Sequence, residues 1–298
     1  MIAISLIVAT LGRFDELGRL LSSLTRQTVG PGRFEVIIVD QNDSIDLAPI
    51  ISRYASALTL RHVKSGKRGI SLNRNIGLHL AQGKIVAFPD DDCTYYPDTL
   101  ETVLRCFQGN ENISLFIGAI YDRSTDTCVI RRWPRTPRFV TRWNFFLLTS
   151  SISIFSKRTD LRFDERLGAG ARFGSNEDAD YVLRALSSGG IVRYEPSIEV
   201  WHPAQPMMLI STDKIHSYGL GFGALVAKDF SVALAILFLK SCLYHLMMAA
   251  KALCCRDART AKARLTALYS RLLGIFLFLH GQNDHRRSSD VARSSIHG

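Results

Sequence analysis

The feature that most constrains this chain is the alternation of short, continuous apolar runs with helix-period stripes across its first hundred residues. Ile2 to Ala9 is a short run, apolar but for Ser5, as expected of a strand covered on both faces, and Phe14, Leu17, Leu20, Leu21 and Leu24 then recur at helical spacing. A second run, Glu35 to Asp40, leads through a polar turn to the stripe Leu47, Ile50, Ile51 and Tyr54; Leu58 to Val63 is a third and weaker strand. Ile70, Asn73, Ile76, Gly77 and Leu80 predict a helix ending at Gly83, and Lys84 to Phe88 is a fourth strand running straight into Pro89 and three aspartates. Strands alternating with helices of this length build a parallel, doubly wound α/β sheet. Ligands collect at the carboxyl ends of such strands, which is where Asp40 and the run Asp90, Asp91, Asp92 fall.

Farther along, Asp98-Thr-Leu-Glu101 has the pattern of a capping box opening another helix. Ser114 to Tyr121 and Ser151 to Phe155 read as strands, separated by a stretch that holds Arg131, Arg132, Arg135, Arg138 and Arg142 and no acid. A glycine-rich loop, Leu167 to Gly174, precedes a helix from Glu177 to Leu186, and two short strands follow, Ile191 to Glu195 and Ile198 to His202. Six cysteines without a C-x-x-C pair suit a reduced, cytosolic protein, and the apolar start lacks the basic flank of a cleaved signal.

Charge decides which anion the chain prefers. The formal net charge is +10, from 37 Lys+Arg against 27 Asp+Glu. From Lys240 onward there are 10 basic and 3 acidic residues, so the front of the chain is nearly neutral and nucleic acid is not the expected partner. Val232 to Ala250 is apolar but interrupted by Lys240 and His245. A lysine at the centre of a spanning helix costs about 2.5 to 3.5 kcal/mol, whereas a helix lying in the interface can turn its polar arc to water. A second apolar piece, Leu272 to Leu279, is flanked by arginines, and basic residues bordering apolar helices suit an anionic membrane surface. The other use of the same surface is a cap on the sheet or a homodimer interface.

Three adjacent carboxylates at a strand end raise one another's pKa, a problem that a divalent cation solves and that a solvated acidic turn avoids by exposure. Glu177 and Asp178 in a helix's first turn either complement the helix dipole or supply a general base. His202 is either a packed histidine or a third ligand.

Taken together, Ser5-Leu-Ile-Val-Ala-Thr-Leu-Gly-Arg13, Ser23-Leu-Thr-Arg-Gln27, Glu35 to Asp40, Gly69-Ile-Ser-Leu-Asn-Arg-Asn-Ile-Gly77, Ala81 to Asp92 and Asn176-Glu-Asp178 resemble family 2 of the inverting glycosyltransferases, of bacterial cell-surface glycan type. The resemblance implies a GT-A fold, a Rossmann-like and mostly parallel sheet with flanking helices, followed here by amphipathic C-terminal helices. It implies a nucleotide-diphosphate sugar donor, with Thr10 beside the nucleotide, Asp40 on its base, Arg74 near it, and Asp90 and Asp91 near ribose or metal. Asp92, the last member of the D-x-D motif, would bind manganese or magnesium, His202 would add a metal or diphosphate contact, Glu177 would contact the substrate or nucleotide, and Asp178, next to it, would be the catalytic base. Leu11-Gly12 replaces the common Tyr-Asn of the first loop, which removes a ring-stacking contact to the base. The domains expected are 1–225, split at 104 into donor and acceptor halves, membrane-associating helices over 226–283, and a disordered tail over 284–298. The acceptor expected is a glycan or a lipid-linked one, on the cytoplasmic face of the inner membrane. A nucleotidyltransferase sharing the sheet and a non-catalytic membrane-bound scaffold are the rival readings.

Overall fold

The computed structural model describes residues 1–204 and 211–294, so the last four residues of the expected tail lie outside the described residues. Among the described residues ten strands are formed: β1 (Ile4–Thr10), β2 (Phe34–Asp40), β3 (Leu60–Lys64), β4 (Ile85–Ala87), β5 (Thr94–Tyr95), β6 (Ile113–Asp122), β7 (Thr127–Cys128), β8 (Arg138–Phe139), β9 (Ile154–Lys157) and β10 (Ile191–Trp201). The helices are α1 (Phe14–Leu24), α2 (Ala48–Tyr54), α3 (Ile70–Leu80), α4 (Thr99–Gly109), α5 (Phe145–Leu148), α6 (Glu177–Ser187), α7 (Thr212–Lys228), α8 (Val232–Cys254) and α9 (Ala258–Ser294). The chain divides into two compact units, one of Met1–Glu165 with Glu177–Pro206, the other of Arg166–Asn176 with Met207–Gly298.

The first unit holds the sheet, in the order β3-β2-β1-β4-β9-β6-β10-β5, with β7 paired to β6 and β8 to β10. Strands β1 to β4 are mutually parallel, β9 runs antiparallel between β4 and β6, and β6 and β10 are parallel again. All the longer strands therefore point the same way and their carboxyl ends share one edge. Every residue of β2 is buried, as expected of a strand covered on both faces; its apolar centre is Val36 to Val39, and its buried Glu35 accepts from Ser5 Oγ at 2.6 Å. Helix α1 buries Leu17, Leu20, Leu21 and Leu24. Helix α3 lies closer still, because Gly77 faces Ile7: a Cβ there would come 2.3 Å from Ile7 Cγ2. That close approach sets the depth at which Arg74, one turn earlier, enters the fold.

Two local expectations are corrected. The segments 191–195 and 198–202 form one strand, β10, which keeps its pairing with β6 across an irregularity between Tyr194 and Glu199. Asp98 precedes α4 without capping it, because its carboxylate is taken by Arg123, with Nη1 at 2.8 Å and Nη2 at 3.1 Å. A bidentate, charge-assisted pair outcompetes one backbone N–H.

In the second unit, α7 and α9 approach backbone to backbone; a Cβ at Gly223 would lie 2.1 Å from the Arg271 carbonyl. Ser211 and Ser231 cap α7 and α8 by accepting from Lys214 N and Leu234 N. The apolar piece at 272–279 belongs to the single long helix α9. Leu167 and Phe173, the two ends of the glycine-rich loop, are buried with Ala224 and Phe278, and backbone hydrogen bonds Gly168 N to Phe173 O and Phe173 N to Arg166 O close the loop on itself. The loop is thus anchored at both ends. Helix α8 is long and apolar enough to cross a membrane. His245 faces inward, away from the polar arc that helical spacing assigns it, and Leu243 and Met247 are 50% and 70% exposed.

Candidate active site at the carboxyl edge of the sheet

The shared strand direction brings Thr10, Asp40, the loop after β4 and His202 after β10 to one edge. Thr10 and Asp40 are register partners of β1 and β2. Asp40 is 1% exposed, and both of its oxygens are engaged: Oδ1 accepts from Asn42 N and Nδ2, each at 2.8 Å, and Oδ2 lies 3.1 Å from both His62 Nε2 and Lys64 Nζ. Burial pushes its pKa up, but these partners outweigh it and hold the carboxyl below its ordinary value.

The aspartate run is divided among different partners. Asp90 Oδ1 accepts from Arg74 Nη2 at 2.9 Å. Asp91 Oδ1 accepts from Arg13 Nη1 at 3.2 Å, and Arg13 also pairs with Asp92. Burial pushes Asp91 up to about 6 against the opposing Thr10 hydroxyl and Arg13, whereas His202 and Arg13 outweigh burial at Asp92 and lower it. His202 is buried; its Nδ1 sits 2.8 Å from Pro203 O, an atom that can only accept, so Nδ1 carries a proton and Nε2 faces Asp92 Oδ1 at 3.3 Å. Burial pushes the imidazole pKa down, but Asp92, the Pro203 carbonyl and Asp90 together outweigh it and raise the pKa.

Asp90, Asp92 and His202 each offer an atom, and these atoms lie within 4.8 Å of one another. Asp92 Oδ1 is buried and, beyond the 3.3 Å approach of His202 Nε2, has no hydrogen bond among the described residues, which leaves a lone pair for a cation. Two carboxylates and an imidazole whose other nitrogen is tied to a carbonyl are a set that fits manganese or magnesium, with water and phosphate oxygens completing the shell. The chemistry of the donors and the orphaned oxygen both pass the test of fit.

Arg74 joins this loop to helix α6. Its guanidinium is 1% exposed, its Nη1 reaches Glu177 Oε1 at 3.1 Å, and its carbon Cζ stands 5.3 Å from the centroid of the Phe163 ring. Its partners here are protein carboxylates. Burial and the neighbouring Asp178 charge push Glu177 up to about 7 despite Arg74. Of the three acids in the first turn of α6, Glu177 is paired with Arg74 and Asp180 with Arg184 at 2.8 Å, while Asp178 makes no ion pair among the described residues. Its oxygens accept instead from Ser151 N at 3.2 Å and Ala179 N at 2.7 Å. Asp178 is half-buried.

Sequence reasoning missed Arg13, Asn42, His62 and Lys64. Arg13 closes the first of the motifs that carry the family resemblance, just past the end of β1, but that resemblance gives it no role.

The sequence profile of glycosyl transferase family 2 matches residues 5–166, more than half of the chain. Among curated proteins, the chain is 31% identical over 118 residues to a poly(ribitol-phosphate) β-N-acetylglucosaminyltransferase, TarP, of Staphylococcus aureus, an alignment covering 39% of this chain and 36% of that one. The alignments span little more than a third of the curated relatives' length. Among solved structures, S. aureus TarS residues 1–349 superposes with a TM-score of 0.58 at 15% identity, over 94% of this chain and 92% of that one. A mannosyltransferase from Pyrobaculum calidifontis, in complex with GDP-Man and Mn2+, superposes with a TM-score of 0.59 at 15% identity, over 92% and 86%. These likenesses confirm the GT-A fold, and with the profile match over the strands that carry Thr10, Asp40 and the aspartate run, the chain belongs to glycosyl transferase family 2.

Proposed function

We propose that this protein transfers a sugar from a nucleotide-diphosphate sugar to an acceptor hydroxyl, with inversion at the anomeric carbon. The observation that carries the reading is Arg74, which by bridging Asp90 and Glu177 ties the acidic loop to the helix that presents the unpaired Asp178. The nucleotide is assigned to the ends of β1 and β2, beside Thr10 and Asp40, with Asp90 and Asp91 toward the ribose and diphosphate. Asp92 and His202, with Asp90 beside them, would hold a divalent cation, which when bound offsets the charge of the leaving diphosphate. Asp178 takes the proton from the acceptor hydroxyl while that oxygen bonds to the anomeric carbon on the face opposite the diphosphate. The carbon–oxygen bond to the diphosphate breaks and nucleoside diphosphate departs with the electron pair. Arg74 is a positioning residue in this scheme. Relatives in which the same fold holds UDP, UDP-GlcNAc or GDP-Man support the donor class.

The second unit is assigned to an anionic membrane surface on the cytoplasmic face, where a glycan or lipid-linked acceptor is presented. Lys240, Lys251, Arg256 and Arg259 are exposed on or just after α8, whose exposed face also carries Leu243 and Met247. Lys240 near the middle of α8 favours lying along the surface over crossing it.

Thermal-shift screening of nucleotide sugars with manganese tests the donor assignment, since a ligand stabilises by the logarithm of its excess over Kd. A stabilising sugar nucleotide that yields nucleoside diphosphate on transfer is expected; release of pyrophosphate, or no metal-dependent binding of any sugar nucleotide, would sink the proposal.

A further inference from the structure

Apart from Ser151, whose N–H meets Asp178, the acid-free stretch between Asp126 and Asp160 has no part in the site described so far, and one of its arginines is set apart by its surroundings. Arg131 is half-buried while Arg132 and Arg135 are exposed. It follows Ile130, a β-branched residue at φ +69°, and a hydrogen bond from Arg131 N to Val129 O at 2.8 Å closes a three-residue turn on Ile130. Such a turn is strained for a β-branched side chain and persists where the surroundings over-determine it. They do so here: the guanidinium lies 5.2 Å from the centroid of Trp133, a ring 5% exposed whose Nε1 donates to the same Val129 carbonyl, and Arg131 Nη1 donates to Phe146 O at 2.6 Å.

A guanidinium taken partly out of water normally meets a carboxylate. Arg131 forms no ion pair among the described residues, and of five N–H donors the hydrogen bond to Phe146 uses one. Burial lowers its pKa, and the single acid that acts against this is Asp178, near enough to be felt and too far to touch. Arg131 is tied to α5 through Phe146 O, and Ser151, shortly after α5, donates its N–H to Asp178, so one short segment joins a fixed cation fork with donors to spare to the proposed base, and Arg132 and Arg135 follow Arg131 in sequence. A planar fork with further positive charge behind it is built for an oxyanion of high charge.

We propose that Arg131 anchors an acceptor-side subsite for a phosphate group, so that the hydroxyl presented to Asp178 belongs to a phosphate-bearing acceptor. The inference rests on the reading of Asp178 as base, and it specifies the acceptor class. The phosphate belongs either to a soluble phosphodiester chain or to a lipid head group, and the experiment separates the two.

Trp133 beneath the guanidinium is the reporter. The full chain in EDTA, without nucleotide, is titrated with inorganic phosphate while tryptophan emission is followed. A saturable change is expected, with a midpoint raised at least tenfold in Arg131→Gln and less than threefold in Arg132→Gln; acetate is expected to bind at least tenfold more weakly. The response is to persist in Asp92→Asn, which separates this site from the donor diphosphate site even if the donor assignment fails. Arg131→Lys, which keeps the charge and loses the fork, guards against a folding defect and is expected to fall between wild type and Arg131→Gln. Titration with bis-glycerol phosphodiester and with phosphatidylglycerol vesicles then names the source: tenfold loss in Arg131→Gln for either probe supports the subsite. Equal titration of wild type and Arg131→Gln, equal losses in the 131 and 132 variants, equal affinity for acetate, or loss of the response in Asp92→Asn would each overturn it.

Discussion

Replacing Arg74 by Met tests whether the acidic loop and helix α6 are held by one buried charge. The guanidinium is 1% exposed and spans Asp90 at 2.9 Å and Glu177 at 3.1 Å. Removing one partner of a buried pair costs about 3–5 kcal/mol, because the other charge stays buried and unpaired. Asp90 keeps 31% of its side chain exposed and can draw on water, so the low end applies, about 3 kcal/mol at pH 8. For a unit of this size that lowers Tm by about 6–12 °C. The pH dependence carries the sharper test. Glu177 titrates at about 7 instead of 4.5, so the folded protein binds more protons than the unfolded one across that window, and stability falls as pH rises through it. Loss of Arg74 raises the folded value further and extends the window upward. The deficit of Arg74→Met should therefore be smallest at pH 5, where Glu177 is protonated with or without Arg74, leaving about 1 kcal/mol of altered packing. Adding Glu177→Gln should restore about 2 kcal/mol at pH 8, a coupling of the size expected for residues in contact. Urea denaturation in EDTA at both pH values gives these numbers. Equal losses at pH 5 and pH 8, or additive losses in the double variant, would refute the reasoning.

Asp178→Asn is expected to lower kcat by about 10²–10⁴ with unchanged calorimetric affinity for the nucleoside diphosphate; full transfer activity would remove Asp178 as the base. Asp92→Asn and His202→Ala should each weaken Mn2+ binding at least tenfold, read from the electron paramagnetic resonance of free Mn2+, since even groups that only orient a ligand cost about that much. An unchanged affinity in both would move the cation elsewhere. Leu243→Glu with Met247→Glu, at positions 50% and 70% exposed, should leave thermal unfolding within about 1 kcal/mol of wild type and abolish co-sedimentation with phosphatidylglycerol vesicles. Retained co-sedimentation would return that face to an oligomer contact.

The parts of this protein legible in sequence are those governed by local period and local chemistry. Short runs of mostly apolar residues predict β1 and β2 because a strand covered on both faces buries nearly all its side chains. Repeated i, i+3, i+4 spacing predicts α1 because one stripe faces the sheet. A carboxylate at a strand end marks the ligand edge because a parallel arrangement aligns all the strand ends. That much placed Asp40, the aspartate run, Glu177, Asp178 and His202 in chemically sensible elements, and the order of the motifs named the family.

Pairing was not legible. Asp98 has the look of a cap until Arg123, distant in sequence, takes its carboxylate. Nothing local says that Arg74 ends on Asp90 and Glu177, that Arg13 answers Asp91 and Asp92, or that of the acids in the first turn of α6 Asp178 alone makes no ion pair among the described residues. The sequence by itself determined which elements form and which ionisable groups each carries, because periodicity acts over a few residues. Only the tertiary structure decided which charges are compensated and which are free to react, because that depends on distances between segments up to a hundred residues apart and on how much water each group keeps.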